Sequence, residues 1–165
     1  MWNKIDLWPS GKAGIEARWR VENGDLYCFI GGSDHWVDWI HHFLPGSKRR
    51  ELMCGMRLAR ALRPKIKESV FIGGHSVGGV VASLVARMFE DEGEEVYAIT
   101  FGGKRPLEGT EDAVISYRHR GDIVPFFPPW RKRYKHEMRI GKWMPFWKAH
   151  GPATYYEAME MYGFR

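Results

Sequence analysis

Apolar residues along the chain follow two different periods, and the change between them is sharpest within residues 69–89. Ser69–Ile72 is a short run rich in β-branched and aromatic residues, which predicts a buried strand. From Ser76 onward the apolar positions recur at steps of three and four, which predicts a helix with an apolar face of Val77, Val80, Val81, Leu84 and Met88. A strand therefore passes into a helix with almost no loop between them.

Further strands are predicted on both sides of this unit. The apolar runs that predict them are Leu26–Ile30, Glu95–Phe101 and Ala113–Tyr117. Arg18–Val21 is expected to pair with the first of these, because Asn23-Gly24 between them is a strong hairpin signal. Apart from that hairpin, Met1–Asn23 predicts irregular structure that covers one edge of the fold.

Helices are predicted between the strands. Lys48–Arg63 predicts a helix that ends at Pro64, with an inner face of Leu52, Met56, Ala59 and Leu62. A last helix is predicted over Ala153–Met161. Strands that alternate with helices predict an α/β fold, in which a mainly parallel sheet is flanked by helices and joined by right-handed crossovers. Reactive residues of such a sheet gather at the carboxyl ends of its strands.

Composition limits the class of protein. A length of 165 residues fits one domain with one core, and the absence of eighteen consecutive apolar residues predicts no membrane span. The first residues lack the apolar run of a signal peptide, so we expect a cytoplasmic protein or one released without such a peptide. Cys28 and Cys54 are expected to be reduced core residues. A net charge of +5 gives a mild attraction to phosphate-bearing surfaces, which is too weak to indicate nucleic-acid binding.

The first candidate for chemistry is Ser76. Residues 74–78 read Gly-His-Ser-Val-Gly, the G-x-S-x-G pattern that presents a nucleophilic serine at a sharp turn between a strand and a helix. Glycines on both sides remove the Cβ atoms that would collide at such a turn. The alternative is a glycine-rich turn whose serine takes no part in chemistry. The strand and the helix that the motif requires are both predicted, which favours the nucleophile.

A serine nucleophile needs a base to take its proton and an acid to orient that base. Asp122 is the candidate acid because it directly follows a predicted strand. Of the later histidines, His119 precedes this acid too closely to reach around it, and His136 lies in a basic run. His150 lies in a loop before the last helix. Position therefore favours Ser76, Asp122 and His150, with a structural role for the last two as the alternative.

Four segments carry a resemblance to a known family. They are YCFIGGSDHWVDWI at residues 27–40, GGHSVGG at 73–79, TFGGKRP at 100–106 and YRHRGDIVPFFPP at 117–129. These are similar to the oxyanion loop, nucleophile elbow, strand end and acid loop of the fungal-type (class 3) triacylglycerol lipase family of α/β hydrolases. The order of His150 and Tyr155 resembles the family's terminal histidine and tyrosine. The resemblance implies a compact α/β-hydrolase fold, Ser76–His150–Asp122 as a triad, and no metal or organic cofactor.

The resemblance also implies an oxyanion hole made of backbone N–H groups. We place it on Val77 together with Gly32 or Ser33, and the Ser33 hydroxyl is a third candidate donor. The chain departs from the family here, because Ile30 stands where the family usually has arginine. An ordinary turn at the end of a strand is the alternative for this segment.

The substrate is indicated only in outline. Ile40–Lys48 leaves little chain for a lid, so we expect a short or absent lid and an open site. The candidates for substrate binding are aromatic residues close in sequence to the acid and the histidine, namely Phe126, Phe127, Trp130 and Trp147. They could line an acyl pocket or touch an anionic lipid surface transiently, whereas core packing is the alternative.

We therefore predict a serine esterase or lipase that acts on ester lipids. A phospholipase, a deacylase of an envelope polymer and a non-catalytic basic binding module are the alternatives. The sequence indicates neither the acyl chain length nor the oligomeric state.

Overall fold

A computed structural model of the protein describes residues 1–8, 14–32 and 47–161. Within these residues one sheet contains seven strands, whose spatial order is the same as their order along the chain. The strands are β1 (Asn3–Trp8), β2 (Ile15–Glu22), β3 (Asp25–Ile30), β4 (Val70–His75), β5 (Val96–Phe101), β6 (Ile115–His119) and β7 (His136–Ile140). The first three strands are antiparallel, and β3 to β7 are parallel. The predicted α/β fold with a mainly parallel sheet is confirmed.

Helices cover both faces of this sheet. They are α1 (Ser47–Leu62), α2 (Val77–Asp91), α3 (Phe146–Ala149) and α4 (Pro152–Met161), with 3-10 turns at Arg63–Lys65 and Val124–Phe126. The main core lies between α1, α2 and one sheet face, and it includes Ile72 and both cysteines, which are buried and free as predicted. A smaller core below α4 includes Tyr117 and Tyr155. Ile72 and Tyr117 occupy alternate register positions, so the two cores lie on opposite faces. Within the described residues, no helix has the length and apolar character needed to cross a bilayer.

The N-terminal prediction is wrong for the part of this region that the structure describes. Strand β1 pairs with β2 over five residue positions, where the sequence pattern predicts irregular structure. The exposed face of these strands carries charged residues that pair with one another, as when Lys4 contacts Glu16 at 2.8 Å. The hairpin prediction is confirmed, because Glu22 pairs with Asp25 across a turn in which Asn23 and Gly24 have φ of 53° and 96°.

The inner face of α1 differs from the predicted one. Ala59 and Leu62 are buried as predicted, but Leu52 is only partly buried and Met56 is 55% exposed. Glu51 is only 1% exposed and takes an inward position instead. The face is therefore rotated toward a charged residue that hydrophobic periodicity assigns to solvent.

Glu51 faces inward because two cations meet its carboxylate. Its Oε1 accepts a hydrogen bond from Lys104 Nζ and its Oε2 accepts one from Arg131 Nη1, each at 2.8 Å. Lys104 follows β5 and is itself 1% exposed. Burial lowers the pKa of Lys104, and the neighbouring Glu51 carboxylate acts in the opposite direction. The carboxylate thus ties α1 to two loops that lie near the carboxyl ends of the strands.

Replacing Glu51 should destabilise the fold. Glu51→Gln would leave the buried Lys104 and the largely buried Arg131 without a neutralising carboxylate, which costs on the order of 3–5 kcal/mol in the free energy of unfolding. Glu92→Gln is the matched control, because the Arg63–Glu92 pair lies at the surface and is worth less than about 1 kcal/mol. Urea unfolding monitored by circular dichroism gives both values. Equal, small losses in the two variants would contradict the structural role of Glu51.

Candidate active site

Ser76 lies at a strained turn between β4 and α2. Its φ of 57° and ψ of −122° fall in a region that residues with side chains rarely adopt. The Ser76 N–H donates to the Phe101 carbonyl oxygen at 3.1 Å, and the Ser76 carbonyl oxygen accepts from the Gly79 N–H at 3.1 Å. A Cβ at Gly74 would lie 2.7 Å from the nitrogen of Gly79, so this approach of strand and helix requires glycine. The predicted strand–turn–helix arrangement around the serine is therefore present.

Asp122 and His150 are in direct contact. Nδ1 of His150 lies 2.9 Å from Oδ2 of Asp122. An ionised carboxylate only accepts hydrogen bonds, so the proton of the neutral imidazole lies on Nδ1 and leaves Nε2 as an acceptor. The Asp122 side chain is completely buried, whereas 20% of the His150 side chain is exposed. This arrangement orients the imidazole and leaves its other nitrogen able to take a proton.

The Asp122 carboxylate receives two further donors. Its Oδ1 accepts from the Val124 N–H at 2.9 Å, and its Oδ2 accepts from the Tyr155 hydroxyl at 2.5 Å. The Tyr155 oxygen in turn accepts from the His119 N–H at 2.9 Å. Burial, together with the Asp122 charge, raises the pKa of Tyr155, so the hydroxyl keeps its proton. Both oxygens of the buried acid are thus hydrogen-bonded.

Gly102 marks the place where the predicted triad residues converge. It follows β5 with a φ of 56°. A Cβ at this position would lie 2.7 Å from Oδ2 of Asp122, 2.9 Å from the Tyr155 hydroxyl and 3.0 Å from Nδ1 of His150. Phe101, the preceding residue, accepts the N–H of Ser76. The structure therefore brings the serine, the acid and the histidine to one edge of the sheet.

His75 is a member of the site that sequence reasoning missed. Its Nε2 lies 2.8 Å from the His150 carbonyl oxygen, and a carbonyl can only accept, so this nitrogen carries the proton. The centroids of the His75 and His150 imidazole rings lie 4.7 Å apart. Burial lowers the pKa of His75 to about 4. The motif leaves its second position free, and the contact joins residues 75 positions apart, so no local pattern could reveal it.

The predicted oxyanion donors are described only in part. Val77 is the first residue of α2, so its N–H has no acceptor within the helix. Gly32 packs closely against the serine, since a Cβ at position 32 would lie 2.8 Å from the Cβ of Ser76 and 2.9 Å from the His75 carbonyl oxygen. Ser33 lies outside the described residues, as does most of the segment on which the lid prediction depends.

Phe126 and Phe127, predicted to bind substrate, contact arginine residues in and around the acid loop. The centroid of the Phe126 ring lies 4.8 Å from the guanidinium carbon of Arg118 and 4.5 Å from that of Arg133. Phe127 is partly buried, and its carbonyl oxygen accepts the Arg105 N–H at 2.8 Å. These contacts order the loop that carries Asp122.

Trp130 and Trp147, the other two residues of that set, are directed to solvent. They are 76% and 69% exposed. Trp147 lies on α3, three residues before His150. The Met144 backbone packs against Gly121, where any Cβ would collide with it, so residues 144–147 lie beside the acid loop.

Among the described residues, no three histidine, cysteine or carboxylate side chains are grouped as metal ligands.

Solved structures with a similar fold are fungal lipases. The Lip2 lipase from Yarrowia lipolytica superposes with a TM-score of 0.64 at 17% identity, covering 85% of this chain and 65% of that one. The triacylglyceride lipase of Rhizomucor miehei superposes with a TM-score of 0.59 at 18% identity, covering 86% of this chain and 67% of that one. Lipase II from Rhizopus niveus superposes with a TM-score of 0.56 at 17% identity, covering 76% of this chain and 61% of that one. The chain thus spans less than two thirds of the length of the Yarrowia enzyme, and at these identities the likeness shows the fold.

The family is shown by the sequence itself. No curated protein sequence matches the chain. The profile of the family described as lipase (class 3) matches residues 49–132, about half of the chain, and this range includes Ser76 and Asp122. The chain belongs to the class 3 lipase family.

Proposed function

We propose that this chain is a serine esterase or lipase that hydrolyses carboxylic esters of lipids through an acyl-enzyme on Ser76. The observation that carries the proposal is the 2.9 Å contact between His150 and the buried Asp122, beside a serine held at a strained turn. Family membership and fold support the same class of reaction.

The reaction follows from the roles that these side chains can take. The Ser76 hydroxyl attacks the ester carbonyl carbon while Nε2 of His150 takes its proton, and Asp122 stabilises the imidazolium that forms. The tetrahedral intermediate collapses, and His150 returns the proton to the leaving alcohol. Water then attacks the acyl-enzyme with His150 again as base, which releases the carboxylic acid and restores the serine.

The oxyanion is assigned to backbone donors around Ser76. The Val77 N–H lies at the helix N-terminus, where the helix dipole also favours negative charge. The second donor is Gly32 or Ser33, and the close packing of Gly32 on Ser76 supports this placement. Each donor aimed at a developing oxyanion contributes roughly 3 kcal/mol to the stability of the transition state.

Exposed aromatic residues support an ester lipid at an interface as the substrate. Trp143 is 75% exposed and Trp147 is 69% exposed, and both lie near His150 in the chain. Lys142 and Lys148 are exposed beside them. Tryptophan favours the boundary between water and lipid, and lysine favours anionic head groups. We infer a transient contact of this surface with anionic lipid.

The alternatives differ in how they relate to the site. A phospholipase or a deacylase of an envelope polymer would use the same three residues. p-Nitrophenyl esters of increasing chain length, compared with anionic phospholipid vesicles, separate these substrates. A non-catalytic basic binding module does not require a strained serine or an oriented imidazole, so the observed geometry makes it the weaker alternative.

Covalent labelling tests the nucleophile. A fluorophosphonate should attach to Ser76, because the reagent mimics the tetrahedral oxyanion and needs an activated serine. Mass mapping of the adduct identifies the residue. Ser76→Ala should abolish both labelling and ester hydrolysis, whereas Ser83→Ala, which alters another serine of α2, should leave the labelling at Ser76. Labelling elsewhere, or hydrolysis by Ser76→Ala, would overturn the proposal.

Removing the Tyr155 hydroxyl tests how the acid is held. Tyr155→Phe removes a hydrogen bond to a charged group, which is worth about 1.5–3 kcal/mol, so kcat should fall at least about tenfold while KM changes little. Tyr156→Phe is the matched control, because Tyr156 is 66% exposed and does not contact Asp122. Steady-state kinetics on a soluble ester measures both. Similar kinetics for the two variants would count against this role.

Acidification tests the neutral state of His75. Its pKa is about 4 in the folded protein against an ordinary 6.5, so the unfolded chain binds the extra proton more readily. The contribution of His75 to stability is therefore complete above about pH 6.5 and is lost as the pH falls toward 4. His75→Gln keeps a side-chain N–H and does not titrate. Between about pH 7 and pH 5 the natural protein should lose roughly 2 kcal/mol more than this variant in urea unfolding, and parallel pH profiles would refute the assignment.

A further inference from the structure

An apolar pocket of about 310 Å³ lies on the sheet face that also carries α4. Its walls include Phe29 of β3, Phe101 of β5 and Met159 of α4, and its inner end is formed by His75 and Tyr155. The volume is at the lower end of the range for small-ligand sites. Ser76 is not among the lining residues, so the pocket is separate from the nucleophile, although it touches residues that hold His150 and Asp122.

The two polar hydrogens at the inner end of this pocket, on His75 and Tyr155, are already hydrogen-bonded. Nε2 of His75 donates to the His150 carbonyl oxygen. The Tyr155 hydroxyl is bonded on one side to Asp122 and on the other to the His119 N–H. Burial lowers the pKa of His75 to about 4, so its ring is neutral at pH 7. The part of a ligand that lies inside the pocket would therefore be held by apolar contacts.

A cation stands beside the mouth of the pocket. Phe29, which is 42% exposed, pairs across the strands with Arg18, so the two side chains lie on the same face of the sheet. The Arg18 side chain is 66% exposed, and its Nε donates to Glu16 at 3.3 Å. Its two terminal nitrogens make no hydrogen bond to any described residue. An anionic head group entering from this side would meet an available guanidinium.

We propose that this pocket binds the alkyl chain of a linear fatty acid whose carboxylate pairs with Arg18. An alkyl chain suits an apolar pocket whose imidazole N–H and buried hydroxyl are already hydrogen-bonded, and a carboxylate suits a partly solvated guanidinium at the rim. The bound chain contacts His75 and Tyr155, so it adjoins the groups that position the histidine and the acid. The proposal concerns binding and does not depend on hydrolysis at Ser76.

A chain-length series tests the site. Titration calorimetry with hexanoate, octanoate, decanoate and dodecanoate, each below its micelle concentration, uses the whole chain carrying Ser76→Ala so that catalysis plays no part. Each buried methylene contributes about 0.8 kcal/mol, so the affinity should rise about fourfold per methylene and then level off when the pocket is full. Saturable binding with this plateau supports the proposal. Binding that is absent, or that is seen only above the micelle concentration, overturns it.

Matched variants locate the bound chain. Phe29→Ser in the same background should weaken dodecanoate binding at least tenfold, and Met159→Gln on the opposite wall should do likewise. Ile115→Ser is the control, because Ile115 is 43% exposed on the same sheet face and does not line the pocket. Circular dichroism confirms that each variant is folded. Equal weakening of binding by Ile115→Ser overturns the site. If the Ser76→Ala protein is a dimer that both Phe29→Ser and Ile115→Ser dissociate, the proposal is also overturned, because this face would then be an interface between copies of the chain.

The head group is tested separately. Arg18→Gln should weaken dodecanoate about threefold, the value of an exposed ion pair, and leave dodecanol unchanged. Arg20→Gln is the control, because Arg20 lies one pair further along the same face, opposite Tyr27. Equal effects of the two arginine variants, or an equal effect of Arg18→Gln on dodecanol, would overturn the assignment of the carboxylate to Arg18.

Discussion

The buried carboxylate of Asp122 is the constraint on which the site depends. A carboxylate without solvent is stable only when several donors meet it, because an unpaired charge in the interior costs several kcal/mol. Its donors come from separate parts of the chain, namely the Val124 N–H, the Tyr155 hydroxyl and the imidazole of His150. Satisfying one charge therefore brings α4 and the loop before it to the end of β6.

Glycine makes this convergence sterically feasible. Gly32 allows the loop after β3 to lie against Ser76, and Gly102 leaves the space in which the acid, the tyrosine and the histidine meet. Any larger residue at either place would have a Cβ within 3.0 Å of these groups. The short distances between Asp122, Tyr155 and His150 therefore depend on the lack of a side chain at Gly102 as well as on the hydrogen bonds themselves.

Two further buried side chains, His75 and Glu51, hold the segments around Ser76 and His150. His75 is kept neutral by burial and holds the main chain at His150. Glu51 lies on the other side of the sheet and joins α1 to Lys104, whose N–H donates to the Ser76 carbonyl oxygen at 3.3 Å. Ser76 and His150 are therefore each linked to a buried polar group that no nearby sequence motif predicts.

The sequence by itself determined the elements and the order of the candidate residues. Its periodicity places the strand and helix around Ser76, because burial on one face requires apolar residues at fixed intervals, and its glycines mark the turn. It did not predict β1 or the first residues of β2, whose exposed faces are charged. Nor did it predict the inward position of Glu51, since the cations that neutralise this carboxylate lie 53 and 80 residues away. The contacts of His150 with Asp122 and of Tyr155 with the same carboxylate were decided only by the tertiary structure, because they depend on how distant segments meet at one sheet edge.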